Sequence, residues 1–124
     1  MSTVWRAGFV AYALVLLVLT MWPQLEIHGP VERTDLWIHA PAFGLWGLLL
    51  YASEFIAPRR EWRNVAMSGL ISLAWAGIDE WGQRYFNRHS AADDFAANAF
   101  GVWIGMAITA AWCARLRSRA DASA

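Results

Sequence analysis

Residues 64–101 read NVAMSGLISLAWAGIDEWGQRYFNRHSAADDFAANAFG. Two apolar segments meet here across a stretch rich in ionisable and amide side chains, from Asp79 to Asn98. Hydrocarbon tolerates such groups only where something satisfies them, because even one charge near mid-membrane costs at least about 2.5 kcal/mol. The stretch therefore predicts two membrane helices that meet at a polar region, which is where function should be sought.

The composition extends this interpretation to the whole chain. Of its 124 residues, 58% are hydrophobic and nine are Trp, which is too apolar for a domain of this size in water. Four segments each have roughly the 20 residues that a helix needs to cross a hydrocarbon core of about 30 Å. We predict an all-α polytopic membrane protein, one domain (1–124) forming a four-transmembrane-helix bundle with short loops. The predicted helices are 4–22, 36–57, 64–86 and 95–114.

The charges are balanced in number but unevenly placed. Ten basic residues, all Arg, stand against ten acidic ones. Seven lie on one side of the predicted spans and three on the other: Arg6, Arg59, Arg60, Arg63, Arg115, Arg117 and Arg119 against Arg33, Arg84 and Arg88. The positive-inside rule then predicts cytoplasmic N- and C-termini and outward-facing polar loops. The alternative, a signal peptide over residues 9–19, has a single basic residue before it and no small-residue cleavage pattern after it.

Helical spacing groups the polar residues near the outer ends of the predicted helices. Side chains three or four positions apart share one helix face. Three pairs have this spacing: Asp35 with His39, Glu80 with Gln83, and Asp94 with Asn98. If their faces converge, they form a shared polar pocket, to which the following loop adds Arg88.

Several chemistries suit this set of residues. The unperturbed pKa of His, about 6.5, makes His39 a candidate general acid or base, with Glu80 and Asp94 as its catalytic partners. The same three side chains are an alternative site for a divalent cation, but their spacing is not diagnostic, and we predict neither a metal nor another cofactor. Arg88 is expected to bind a phosphate or carboxylate through its bidentate guanidinium.

Two further interpretations stay open. The polar groups could instead act as interhelical hydrogen-bond partners that lock the bundle, typically worth about 0.6 kcal/mol each. A transporter is a weaker alternative, because Glu54 is the only ionisable group in the inner half of the predicted bundle. Gly101 and Gly105 have the small-xxx-small spacing that lets helices approach closely, either within the bundle or in a homo-oligomer. Nothing in the sequence indicates nucleic-acid binding.

Taken together, these elements resemble the VanZ-like family of small bacterial membrane proteins. That family's pattern has Asp-Lys-x-x-His at the start of one helix, Glu-x-x-Gln near the end of the next, an Arg, and Asp-x-x-x-Asn-x-x-Gly-x-x-x-Gly opening the last. The matching residues here are Asp35, His39, Glu80, Gln83, Arg88, Asp94, Asn98, Gly101 and Gly105. Leu36 stands where the family usually has Lys, so an anion contact there is expected to be weakened or moved, for example to Arg33.

The resemblance implies a cell-envelope protein of the bacterial inner membrane. The name-giving member is associated with reduced susceptibility to the glycopeptide teicoplanin, which carries an acyl chain and binds peptidoglycan precursors at the outer membrane face. The analogy implies a ligand-binding set of Asp35, Gln83, Arg88 and Asn98 for an anionic lipid or lipid-linked glycan precursor. Hydrolysis or transfer at a phosphate or glycosyl group is the enzymatic version. A non-enzymatic structural or partner-binding module is the alternative.

Overall fold

Four helices make up the fold. The computed structural model of the chain describes residues 2–22, 34–83, 85 and 92–123, with the side chains of residues 34–36 and 92 excepted. The helices are α1 (Ser2–Met21), α2 (Thr34–Ser53), α3 (Trp62–Gln83) and α4 (Ala92–Ala122). No strand occurs among these residues. The predicted all-α class with four helices is therefore confirmed.

The second helix ends one turn earlier than the sequence predicts. The expected end is residue 57, but α2 ends at Ser53, and Glu54 adopts a φ of 55° in the left-handed region. The Arg6 side chain donates hydrogen bonds to the carbonyl oxygens of Ser53 (3.1 Å) and Glu54 (3.3 Å). These bonds satisfy carbonyl groups that have no partner within the helix. The predicted end is wrong because the stop depends on a residue of α1, which local sequence does not reveal.

The fourth helix is longer than predicted. Its expected end is residue 114, followed by a polar tail, but α4 continues to Ala122. Arg117 Nη1 donates to the carbonyl oxygen of Arg60 at 3.3 Å, which ties the added turns to the loop between α2 and α3. Arg, Leu and Ala are strong helix formers, so the helix persists beyond the apolar segment. The predicted end of α4 is therefore too early because it was based only on where the apolar segment stops.

Glycine residues allow α2 and α4 to cross closely, and this pair forms the most extensive helix contact in the described chain. A Cβ atom built on Gly44 would lie 2.8 Å from the Gly101 carbonyl oxygen. A Cβ on Gly101 would overlap the carbonyl oxygen of Ala40, and one on Gly105 would overlap that of Gly44. Such backbone contact is typical of small-residue packing between membrane helices. The crossing brings the first turns of α4 against the first turns of α2.

An aromatic core joins α1 to the other helices. Its buried residues are Leu16, Phe43, Trp46, Ala76 and Val102. Trp46 stacks on Trp75 with ring centroids 5.3 Å apart, and Phe9 packs edge-on against Trp46 at 5.0 Å. The Tyr12 hydroxyl donates to the carbonyl oxygen of Ala42 at 2.8 Å. The first helix thus packs against the core and contributes no residue to the buried polar side chains of α3.

The third helix has its polar face inside and its apolar face outside. Its buried residues are Asn64, Ser68, Ser72, Ala76, Asp79, Glu80 and Gln83. Leu70 and Ile78, in contrast, are 61% and 53% exposed. A helix on the surface of a water-soluble domain has the opposite arrangement. This inverted pattern is expected where the surroundings of the bundle are apolar.

By length and composition, two helices are candidate membrane spans. These are Ser2–Met21 and Asp93–Ala122. The other two helices do not qualify by the same measure within the described residues. For α3, polar residues such as Asp79 and Glu80 lower the mean hydropathy, although the bundle buries both of them. The four-helix bundle is established, whereas four membrane crossings are a proposal.

Candidate functional site

Six polar residues gather at the end of the bundle where α2 and α4 begin and α3 ends. We call them the polar cluster: His39, Asp79, Glu80, Gln83, Asp94 and Asn98. Five of the six are buried, and His39 is partly exposed. They are brought to one level because α3 runs antiparallel to α2 and α4. Polar residues from three helices therefore converge, as the helical spacing predicts.

Hydrogen bonds connect three of these residues across three helices. His39 Nδ1 on α2 lies 2.9 Å from Asn98 Oδ1 on α4. The Nδ2 atom of the same amide donates to Glu80 Oε1 on α3 at 3.3 Å. Asn98 itself is fully buried. The amide thus bridges the imidazole and the carboxyl group.

This bridge determines which imidazole nitrogen holds the proton. The Asn98 amide presents its NH₂ group to Glu80 and its oxygen, which can only accept a hydrogen bond, to His39. His39 Nδ1 therefore carries the hydrogen that Asn98 Oδ1 accepts. In neutral imidazole the other nitrogen, Nε2, is then unprotonated. His39 Nε2 is the atom that the cluster offers as a base.

A second buried pair lies within α3. Gln83 Nε2 donates to Asp79 Oδ2 at 2.9 Å, and each side chain is only 1% exposed. Glu80 and Gln83 share the buried face of α3, as their spacing predicts, but they do not bond each other: Gln83 bonds Asp79, and Glu80 bonds Asn98. Asp79 is the member of the cluster that the predicted site omits. The signal for it was the four-residue offset between Asp79 and Gln83.

Asp94 lies one turn before Asn98 in α4 and is buried, with 6% of its surface exposed. The cluster thus holds three buried carboxyl groups, those of Asp79, Glu80 and Asp94. Each of the three makes further interactions beyond the bonds given above. Asp and Glu side chains are rarely buried in proteins. Three of them at one end of the bundle therefore distinguish this region from ordinary helix packing.

Some predicted site residues lie outside the described part of the chain. Arg88, the expected anion contact, is among them, as are Arg33 and Arg84. The backbone of Asp35 belongs to α2, but its side chain is not described. The roles assigned to Arg88 and Asp35 therefore stay predictions.

An apolar groove of about 550 Å³ runs along the crossing of α2 and α4. Gly44, Gly101 and Gly105 line it, so the two glycines assigned to helix packing lie both in the crossing and in the groove. At one end the groove reaches Trp37 and Ala40, which flank His39 along α2. The groove therefore reaches the same end of the bundle as the polar cluster, although no residue of the cluster lines it.

Comparisons of the chain with protein-family models, with curated proteins and with solved structures give no match. The resemblance to the VanZ-like family consequently depends on the residue pattern alone.

The geometry favours proton transfer and polar recognition. An imidazole with an unprotonated Nε2 lies one amide away from a buried carboxyl group, which is a suitable arrangement for a general acid or base. Within the described residues, no group of three His, Cys, Asp or Glu side chains has a geometry that could hold a metal ion. The alternative cation site at His39, Glu80 and Asp94 gains no support from these positions.

Proposed function

We propose that this chain is a four-span membrane protein of the VanZ-like kind, with both termini in the cytoplasm of a bacterium. Its polar cluster faces outward and binds an anionic lipid or a lipid-linked glycan precursor. The observation that carries the proposal is the hydrogen-bonded series from His39 through Asn98 to Glu80, which joins three helices at one end of the bundle.

The apolar exterior supports placement in a membrane. The α1 and α4 helices qualify as spans by themselves. Trp37 and Leu45 on α2 are 73% and 43% exposed, and Leu70 on α3 is similarly open. If only α1 and α4 crossed the bilayer, these side chains would form an apolar surface in water, which soluble surfaces rarely carry. Four spans place the apolar faces of all four helices against lipid.

Three features support the proposed class of ligand: the positive charge of Arg88, the position of the polar cluster at one end of the bundle, and the apolar groove along the crossing of α2 and α4. Arg88 lies in the chain between Gln83 and Asp94, both of which belong to the polar cluster. A guanidinium there would bind a phosphate through two parallel hydrogen bonds. The groove beside His39 would then hold the acyl or polyprenyl chain of the same molecule. A polar site for a headgroup together with an apolar groove for a chain suits a lipid better than a soluble metabolite.

In the enzymatic version, the ligand is hydrolysed at its phosphate or glycosyl group. His39 Nε2 accepts a proton from the attacking water, and Glu80 stabilises the resulting imidazolium through Asn98. Asp94 is the candidate acid that protonates the departing oxygen. Gln83 hydrogen-bonds Asp79 and holds the neighbouring carboxyl group in place.

Lipid retention tests the proposal. Native mass spectrometry of the purified protein counts the anionic lipids that remain bound in wild type, His39→Ala, Glu80→Gln and Arg88→Ala. We expect about a tenfold loss of the most strongly retained species in each variant, equivalent to about 1.4 kcal/mol. Ser72→Ala is the matched control, because this buried hydroxyl lies on α3 but bonds only its own helix, at Ser68. Equal retention in all five proteins would contradict the proposal.

The alternative function is a structural or partner-binding module, and one observation favours it. Asn98 bonds a different helix with each end of its amide, as a locking residue would. Stability separates the two functions. If His39→Ala and Glu80→Gln keep the fold but lose lipid retention and any effect on teicoplanin susceptibility in expressing cells, a binding site is supported. If both variants unfold the bundle, the polar cluster is structural.

A further inference from the structure

The end of the bundle opposite the polar cluster is strongly basic. Seven arginines lie there, and we call it the arginine-rich end: Arg6, Arg59, Arg60, Arg63, Arg115, Arg117 and Arg119. Among the described residues, the side-chain carboxylates at this end are those of Glu54, Glu61 and Asp121. The functional residues proposed above lie at the other end of the helices. The positive charge here therefore needs an explanation of its own.

The loop between α2 and α3 is held in place by hydrogen bonds. The Tyr51 hydroxyl donates to the carbonyl oxygen of Arg59 at 2.6 Å. Asn64 Nδ2 donates to the carbonyl oxygen of Tyr51 at 2.9 Å, and both side chains are fully buried. The Arg59 backbone N–H donates to Glu54 Oε1 at 3.1 Å. A loop anchored at both of its ends presents its side chains in a defined arrangement.

A pocket of about 510 Å³ lies between this loop and the last turns of α4. Glu54, Arg59 and Arg60 line it on the loop side, and Trp112 and Leu116 line it on the α4 side. One wall is thus charged, with one more arginine than carboxylate, and the opposite wall is aromatic and aliphatic. This division suits a ligand with a charged part and an apolar part.

The arginines around the pocket are not equivalent. Arg59 is already neutralised, since its Nε lies 3.2 Å from Glu54 Oε1, and its guanidinium lies 5.6 Å from the centroid of a Trp112 ring. Arg60 and Arg117, in contrast, form no ion pair with any residue in the described part of the chain. Arg117 donates one hydrogen bond to the Arg60 carbonyl oxygen, which places the two residues side by side. Arg60 lines the pocket, whereas Arg117 does not line it but lies beside it through this contact with Arg60. These two guanidinium groups are therefore the cations that an anion at the pocket would meet.

Helix length gives the depth of the pocket in a bilayer. The 31 residues of α4 span about 46 Å, whereas the hydrocarbon core is about 30 Å thick. The last turns of α4 therefore extend to the headgroup region or beyond it. Trp is enriched at the interface between hydrocarbon and water, where Trp112 would then lie. Basic pockets of this kind between membrane helices bind phosphate-bearing lipid headgroups.

We infer that the pocket between the α2–α3 loop and α4 binds the phosphate of an anionic phospholipid in the leaflet at the arginine-rich end. Arg60 and Arg117 contact the phosphate, and Trp112 and Leu116 contact the glycerol and the upper acyl chain. This second lipid site is separate from the polar cluster. It shares with the proposed function only the placement of the bundle in a membrane.

The experiment uses the full chain reconstituted in vesicles of equal parts phosphatidylglycerol and phosphatidylcholine, then extracted gently and analysed by native mass spectrometry. We expect wild type to retain phosphatidylglycerol preferentially. Arg60→Gln/Arg117→Gln should reduce that retention about 25-fold, or about fivefold for each guanidinium. Arg63→Gln/Arg115→Gln removes the same charge from the same end and should change retention less than threefold, because these two arginines neither line the pocket nor, unlike Arg117, hydrogen-bond a residue that lines it.

The outcomes are distinct. Equal losses in the two double variants would show diffuse attraction by charge and overturn the pocket, as would a wild type with no preference for phosphatidylglycerol. Displacement of the lipid by an excess of inorganic phosphate would make a soluble anion the ligand and overturn the lipid assignment. The loss caused by Arg60→Gln/Arg117→Gln should be of the same size in the wild-type and His39→Ala backgrounds, which separates this site from the polar cluster. If the pocket double variant does not fold, Arg60→Gln alone should still lower retention about fivefold.

Discussion

At the scale of single residues, Asn98 determines the geometry of the polar cluster. Its amide is fully buried and accepts from His39 on one side while it donates to Glu80 on the other. An amide suits this position because it presents a donor and an acceptor in one plane. A carboxylate would repel Glu80, and an apolar side chain would leave both neighbours without their partner.

Asn98→Ala should destabilise the protein by about 1–3 kcal/mol, because it removes the hydrogen bonds to His39 and to the buried Glu80. The measurement is the free energy of unfolding in detergent, followed by circular dichroism. Thr109→Val is the control, since Thr109 is a buried polar residue of the same helix whose hydroxyl bonds only within α4, at Met106. If the two substitutions cost the same, the bridge between helices adds nothing to stability.

Glu54 gives a prediction about pH. Burial raises the pKa of this carboxyl group, but hydrogen bonds from the Arg59 backbone and side chain, with the charges of Arg59 and Arg6, lower it below the ordinary 4.5. The folded state therefore binds this proton less readily than the unfolded state, so stability is present above about pH 4.5 and is lost as pH falls through the lower folded-state pKa.

The check is the difference in unfolding free energy between wild type and Glu54→Gln as pH is lowered from about 6 to 3. The stability advantage of wild type should shrink as the carboxyl group becomes protonated. An advantage that is constant over this range would show that the Glu54–Arg59 pair contributes nothing that titrates.

At the scale of helices, the crossing of α2 and α4 determines where the polar cluster forms. The glycines let the backbones touch, and this contact places His39 opposite Asn98. Packing of the apolar face and alignment of the polar face are therefore two results of the same crossing.

Gly101→Ala should destabilise the bundle by about 2 kcal/mol or more, because the new methyl group would overlap the Ala40 carbonyl oxygen and the helices would have to separate. Gly8→Ala is the matched control, since a Cβ atom at Gly8 has no neighbour within 4 Å and Ala favours the helix by up to about 1 kcal/mol. Thermal unfolding of both variants in one detergent measures the difference. Equal melting temperatures would contradict the close crossing.

Local sequence predicts the helices better than their ends. The four apolar segments give four helices, and the three- and four-residue offsets indicate which side chains converge. The end of α2 at Ser53 depends on Arg6, which is distant in the chain. The extension of α4 past residue 114 depends on helix propensity and a contact with Arg60. Features that require a partner from another helix could not be predicted from a single segment.

The same limit applies within the site. The offsets correctly group His39, Glu80 and Asn98 at one end of the bundle, but they do not say which atoms meet. Asp79 and Glu80 lie four and three residues before Gln83, so helical spacing alone could not assign Gln83 to Asp79. Only the packing of α4 against α3, which brings Asn98 to Glu80, decides between the pairings.

At the scale of the whole molecule, the distribution of polarity is inverted relative to a soluble domain. Polar groups lie between the helices and large apolar side chains face outward. One end carries buried carboxyl groups and the other carries arginines. This polarity from end to end is consistent with a protein that has a fixed orientation in a bilayer.

Four spans predict a particular topology. Reporter fusions after residues 28, 58, 89 and 124, made with alkaline phosphatase and with green fluorescent protein, should be external, cytoplasmic, external and cytoplasmic in turn. The fusion after residue 58 is decisive. If only α1 and α4 crossed the membrane, residue 58 would be external together with residues 28 and 89.

The central claim is that the polar cluster binds a lipid headgroup, and a density map of the protein extracted with its native lipids tests it most directly. We expect phosphate density within hydrogen-bonding distance of His39 or Arg88, and density for an acyl or polyprenyl chain that continues into the groove along Gly44 and Gly101. A cluster that holds only its own side chains and water, in a preparation that retains lipid elsewhere on the bundle, would contradict it.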